Sequence, residues 1–197
     1  MFIEYAPLVT GTGYVSPAVM LEFGARSTGE PSESRVIRCD ATAFLDEVEF
    51  PTATPQVMRA ERTFWEKATA IHVFCAQGAF RGGNRFARHW HDLTRLDAAG
   101  SAGAAIADEA LAQAVADHKS VFFAEENMHG VVIDYHTAVA GGLQLVPNDD
   151  DALAKLAADY QQMVDDGLFF DDAEPFEALL DRCRTIQAKA NAIHSRK

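Results

Sequence analysis

Cysteine, positive charge and long apolar runs are all scarce in this chain of 197 residues. The three cysteines, Cys39, Cys75 and Cys183, are scattered and form no CxxC pair. That pattern reads as reduced thiols in a cytoplasm, not as a disulfide framework or a zinc site. Lys and Arg number 17 against 29 Asp and Glu, a net charge of −12. Such an excess of acid argues against a broad basic face for nucleic acid. It leaves room for a local basic site, and Arg81, Arg85, Arg88 and Arg95 do gather in one stretch with His89 and His91 between them. No apolar run approaches the roughly 20 residues that span a bilayer. The opening MFIEYAPLVTGTGYVSP has no basic start and carries Glu4, so it is not expected to be a secretory signal. No tandem repeat is visible. What is present is ordinary for a packed protein: 48% hydrophobic and 23% charged residues. The length suits one domain, or one domain with an extra helical lobe.

The patterning changes along the chain. Val19, Leu21 and Phe23 alternate with Met20 and Glu22, which predicts a strand with one apolar face. Residues 27–34, STGEPSES, read as a loop. Val36–Cys39 and Val48–Phe50 are further short strand candidates. From Thr54, a cap candidate followed by Pro55, the period becomes helical. Phe64, Ala68, Ile71 and Cys75 make one buried face, and Gly78 is a stop. A second helix is expected from about Asn84 with Phe86, Trp90 and Leu93 inward. Residues 98–105, AAGSAGAA, look flexible, and a third helix covers about 106–119. After an irregular glycine-containing stretch, Asp149–Asp151 introduce a helix with Leu153, Leu156, Tyr160 and Met163. Pro175 starts a last one with Phe176, Leu179, Cys183, Ile186 and Ile193. Acid concentrates in the last third, at Asp149–Asp151, Asp165–Asp166 and Asp171–Asp172. The expected class is α+β: a short partial β region over 1–53 and a helical region over 54–197.

Few residues stand out chemically. In RAERTFWEKATAIH, Lys67 falls beside the apolar stripe, not opposite it. It is either a lysine snorkelling at the rim of the core or a cation aimed at a phosphate. In RFARHWHDLTRL, Asp92 has Arg88, His89 and Arg95 within one helical turn. That is either an exposed ion-pair ladder or a carboxylate held ionised for function. His89, His91 and Asp92 also raise a metal site. His89 and His91 point to different faces of a helix, however, and no HExxH-like spacing is present. Lys119 is either a second phosphate contact or a cation answering the end of its helix. Glu22 is the only charged residue in its strand run. His72, His118, His129 and His136 are isolated and read as structural.

The order of segments carries more information than any one of them. ERTFWEK (61–67), RHWHDL (88–93), HKSVFF (118–123), GLQLVP (142–147) and LAADYQQM (156–163) together resemble the AbiEii/AbiGii-type nucleotidyltransferase toxin family of type IV toxin–antitoxin and abortive-infection systems. The resemblance runs from about Val19 to the end. By matching motif, it implies that Lys67 contacts nucleotide phosphates and that Asp92 completes the polar side of the site. Lys119 would be a further nucleotide contact and Glu22 a weak metal-ligand candidate, while Arg88 and Arg95 are nucleotide-contact candidates by their local positive charge. It implies an NTP with Mg²⁺, transfer of a nucleoside monophosphate to an RNA (often tRNA) or protein acceptor, and a cognate antitoxin. The family's glycine-rich turn with paired aspartates is not found: Thr10-Gly11-Thr12-Gly13 has no D-x-D after it. The chain is therefore expected to be a truncated homologue, with a non-catalytic nucleotide-, RNA- or partner-binding role as the alternative. A homodimer, or pairing with another chain, is expected through the strand edge at Val19–Phe23.

Overall fold

The computed structural model describes residues 1–8, 13–24, 26, 28–78, 85–169 and 173–194. Thr10, Gly11, Thr12, Ser27, Arg81, Asn84, Asp171 and Asp172, named above, lie outside these described residues. The chain is α+β. Two antiparallel two-stranded sheets come first: β1 (Phe2–Glu4) with β2 (Ala18–Met20), and β3 (Ser32–Ser34) with β4 (Gln56–Met58). Ile3 lies opposite Val19, and Glu33 opposite Val57. A bridge between Ile37 and Ala53 lengthens the second hairpin, and Asp40–Ala43 form a 3₁₀ turn between its strands. Seven helical elements follow among the described residues: α1 (Ala60–Ala76), α2 (Arg88–Ala98), α3 (Ser101–Ala107), α4 (Glu109–Phe122), the short α5 (Tyr135–Thr137), α6 (Asp150–Asp165) and α7 (Phe176–His194).

The helical stripes expected from sequence form the core. Phe64, Ala68 and Ile71 of α1 are fully buried, with Trp90 and Leu93 of α2, Leu156 and Tyr160 of α6, and Leu179, Cys183 and Ile186 of α7. Side chains of α1, α2 and α7 hold the GLQLVP stretch by its backbone. Asn191 donates to the Leu143 carbonyl at 3.0 Å and accepts from its N–H at 2.9 Å. Gln187 accepts from the Leu145 N–H at 2.7 Å, and Trp90 donates to the Leu145 carbonyl at 2.7 Å. The Gln144 N–H donates to His72 Nδ1 at 3.1 Å, so His72 is neutral and structural. Burial pushes its pKa down accordingly. α5 runs into a π turn, Ala138–Gly142, which breaks at Gly141 with φ 103°. A Cβ on Gly142 would come within 2.9 Å of the Thr137 carbonyl, so only glycine fits that bend.

Several expectations are corrected. The first helix begins at Ala60, after strand β4, not at Thr54 and Pro55. Arg35 and Ile37 draw that segment into a hairpin through backbone bonds to Pro55 and Ala53. Part of the loop assigned to 27–34 is strand β3, and Val48–Phe50 form no strand. The stretch 98–105 is largely helix α3. Its small side chains let α3 approach α1, where Trp65 Nε1 donates to the Ala105 carbonyl at 2.9 Å and Ala102 and Ala105 are fully buried. Asp108 then caps α4 by accepting from the Leu111 N–H, so the expected third helix is two. The face of Val19 and Phe23 is not covered: they are 51% and 84% exposed. A two-stranded sheet with nothing packed on it cannot bury a face. Cys75 and Cys183 lie in the helical core region and are free, with the Cys183 thiol pushed up to about 12 by burial, while free Cys39 is exposed. No helix among the described residues is long and apolar enough to cross a membrane.

Candidate functional site

The inward face of α1 is apolar, so the residues beside it, Thr63, Glu66 and Lys67, emerge at the edge of the core. The same geometry on α2 buries Trp90 and Leu93 and leaves Asp92 at the edge. The two edges meet: Lys67 Nζ donates to Asp92 Oδ2 at 2.7 Å, with the side chains 24% and 42% exposed. Exposed Arg88 and Arg95 lie one helical turn to either side of Asp92.

α4 adds a second ion-pair chain. Lys119 Nζ lies 2.7 Å from Glu66 Oε2, and the other oxygen of Glu66 accepts from the Arg62 guanidinium at 3.1 Å. Lys119 also sits 4.6 Å from the centre of the Phe123 ring, and Arg26 comes from the N-terminal region to 5.4 Å from it. Val57, Met58, Thr63, Glu66, Lys67, His118 and Phe123 line a cleft of 360 Å³ at this junction.

α6 fixes the start of α2. Asp159 accepts from the Arg85 and Ala87 N–H groups, each at 2.8 Å, and from the Tyr14 hydroxyl at 2.6 Å. Arg85 takes a positive φ of 65° to make this possible. Burial and the Asp159 bond push the Tyr14 hydroxyl up to about 12, so it stays a donor. The LAADYQQM segment thus holds the helix that carries Asp92.

His89 lies in the same neighbourhood. Its pKa is pushed down to about 4, first by burial and then by the positive charges of Lys67 and Arg88. It packs edge-on against Phe86, while His91 lies against Phe169. The two rings diverge on a regular helix and make no common metal site. Glu22 lies beyond β2 and is exposed, and no described contact joins it to Lys67 or Asp92.

Of the sequence candidates, the structure brings Lys67 and Asp92 into contact and sets Lys119 beside them through Glu66. Glu66, Arg62, Phe123 and Arg26 were missed. Glu66 could have been found, since it adjoins Lys67 and lies one turn after Arg62 on the same helix. Phe123 carried the same signal within K-x-x-FF. Nothing local in sequence places Arg26.

These residues suit an anion better than a divalent cation. Among the described residues, no three His, Cys, Asp or Glu side chains converge as metal ligands. The carboxylates beside Lys67, those of Asp92 and Glu66, are each already held by a lysine. The Mg²⁺ that accompanies a nucleoside triphosphate finds no cage in this set.

Comparison with curated proteins and with solved structures finds no match. The sequence pattern of the family described as "Nucleotidyl transferase AbiEii toxin, Type IV TA system" matches residues 2–182. The match takes in the residues before Val19, so it gives no support to the expectation of a truncated homologue. It covers both strand pairs, α1 to α6 and the first part of α7, and on that extent the chain belongs to the AbiEii nucleotidyl transferase toxin family of type IV toxin–antitoxin systems.

Proposed function

We propose that the cleft between β4, α1 and α4, with the Lys67–Asp92 pair at its edge, binds a nucleoside triphosphate through its phosphates. Lys67 exchanges Asp92 for a phosphate oxygen, and Arg88, Arg95 and Lys119 add positive charge around it. One observation carries this reading: the Lys67–Asp92 pair, 2.7 Å long and only partly exposed, in which Lys67 lines a cleft and Asp92 has exposed Arg88 and Arg95 one helical turn to either side. The pair holds Lys67 extended, and an incoming polyanion can replace the carboxylate as the partner of an already positioned cation.

The family reaction transfers a nucleoside monophosphate. An acceptor hydroxyl of RNA or protein attacks the α-phosphorus, the bond to the bridging oxygen breaks, and pyrophosphate leaves. Lys67 would offset charge on that leaving group, and Asp92, once released, could accept the hydrogen bond of the attacking hydroxyl. Mg²⁺, when bound with the nucleotide, supplies further neutralisation of the triphosphate. The described residues offer no carboxylate set for it, so no step is assigned through it.

The reading is therefore of a nucleotidyltransferase-type site whose own residues bind nucleotide, with transfer weak or absent in the chain alone. The antitoxin partner follows from family membership, and a homodimer is proposed at the exposed β1–β2 pair. The test is label transfer from each α-³²P NTP to total RNA, with Mg²⁺ or Mn²⁺, alongside equilibrium binding of the same nucleotides. Expected are salt-sensitive binding, weakened by Lys67→Ala, and little transfer. Robust transfer by the unmodified chain would remove the binding-only reading. Absence of binding would remove the phosphate site itself.

A further inference from the structure

The cleft beside Lys67 has a wall that phosphate binding does not use. Val57 and Met58 of β4 line it together with Phe123, and Thr63, Glu66, Lys67 and His118 complete the lining. At 360 Å³ it lies at the small end of the range for small-molecule sites. Phe123 is anchored by its backbone: its carbonyl accepts from the Tyr135 hydroxyl at 2.6 Å, and its N–H donates to the Lys119 carbonyl at 2.9 Å. Its ring is only partly buried and belongs to no aromatic cluster of the core. Its aromatic neighbour among the described residues is His118, with ring centres 5.9 Å apart. Two cations, Lys119 and Arg26, approach the ring instead. A partly exposed ring whose face already attracts two cations, in one cleft with apolar Val57 and Met58, offers a surface on which a base can stack by displacing a cation.

We propose that this cleft is a nucleobase subsite: the base of the nucleotide lies between Phe123 and the Val57–Met58 wall, and its phosphates run to Lys67. This rests on the nucleotide reading above and adds the part of the ligand that reading leaves unassigned. The cleft contains Lys67 itself, so base and phosphates of one molecule can occupy it together. Apart from His118, whose buried Nδ1 has no partner among the described residues, the uncharged and acidic polar groups of the lining are already engaged. The Thr63 hydroxyl is already donated to the Arg59 carbonyl, and Glu66 is held by Arg62 and Lys119. The subsite should therefore accept all four bases and prefer purines, which offer more stacking area.

The experiment measures binding of ATP, GTP, CTP, UTP and inorganic tripolyphosphate at one ionic strength. It compares the unmodified chain with Phe123→Leu, Phe123→Tyr, Met58→Ala and Lys67→Ala, each checked by thermal melting. Phe123→Leu should weaken the four NTPs about tenfold and leave tripolyphosphate unchanged. Phe123→Tyr should retain NTP binding, and Met58→Ala should weaken NTPs alone by a smaller factor. Met58 stands outside the helical core, so Met58→Ala carries the same discrimination if Phe123→Leu fails to fold. Lys67→Ala should weaken both ligand types. Equal losses for NTPs and tripolyphosphate, or no loss, in the Phe123→Leu and Met58→Ala chains would overturn the base subsite, while a Lys67 effect on both ligands would leave the phosphate site standing. Unchanged tripolyphosphate binding in Lys67→Ala would remove the phosphate reading and the subsite that depends on it.

Discussion

From Arg62 onward the helices bury Phe64, Ile71, Trp90, Leu156 and Ile186 completely, whereas no described residue before Arg62 is buried. Both regions are well supplied with large apolar side chains. The N-terminal region leaves Phe2, Leu8, Val19, Phe23 and Phe44 in contact with solvent. The difference lies in what each element can close by itself. A helix of 17 residues such as α1 presents a continuous stripe to its neighbours. Strands of 3 residues in pairs have two faces, and no described residue of either pair is fully buried. The candidate site sits where the regions touch. Helices provide its charges, while β4 and Arg26 provide one wall and one cation.

That contrast can be broken most sharply by stability. Trp90→Ala removes a fully buried ring and the donor to the Leu145 carbonyl, and should cost about 3–5 kcal/mol. Leu8→Ala, at a side chain fully in solvent, should stay within about 0.5 kcal/mol. Paired denaturant melts measure both. A large effect at Leu8 would mean that the N-terminal region packs against something in solution.

Acid should act on the helical region through His89. Its folded pKa of about 4 lies below the ordinary 6.5 because burial disfavours the charged ring. The unfolded chain takes up that proton as pH falls below 6.5 and the folded chain does not. The stabilisation is complete above 6.5 and is lost as pH falls toward 4, by roughly 3 kcal/mol. The difference in stability between His89→Leu and the unmodified chain should shrink or reverse over that window as the variant escapes this loss. A constant difference from pH 7 to 4 would show that His89 protonates freely in the folded state.

The seam between the regions should be weaker. Asp159→Ala takes the acceptor from the Ala87 N–H and breaks the bonds from the Tyr14 hydroxyl and the Arg85 N–H, the latter keeping the Tyr14 oxygen at 2.6 Å, and should cost about 2 kcal/mol. It should also raise amide exchange at the start of α2. The smallest effect is expected from Asp92→Asn. It breaks a partly exposed ion pair and should cost less than about 1 kcal/mol while changing anion binding.

The helical part was legible because its period reports burial directly. Phe64, Ala68, Ile71, Trp90, Leu93, Tyr160 and Leu179 could be placed from spacing alone. The β part was not: the alternation at Val19–Phe23 promises a covered face, but cover is a tertiary property that alternation cannot supply. α3 was missed because AAGSAGAA lacks large apolar residues, and its helix depends on close approach to Trp65. Lys67 and Asp92 were singled out from their own segments, and the structure brings them into contact, although Asp92 does not line the cleft beside Lys67. The Glu66–Lys119 link, the Arg26–Phe123 contact and the grip of Asp159 on α2 join residues distant in sequence. No local pattern announces such contacts.

The central claim is that Lys67 is a positioned cation for phosphate, not a rim lysine whose pairing with Asp92 is only structural. Titration of tripolyphosphate into the unmodified chain and into Lys67→Ala, at low and high salt, tests it most directly. The account predicts an affinity about tenfold lower in the variant at low salt, a smaller gap at high salt, and melting temperatures that nearly coincide. Equal affinity in the two chains, or a variant weakened only to the extent that it is unfolded, would contradict it.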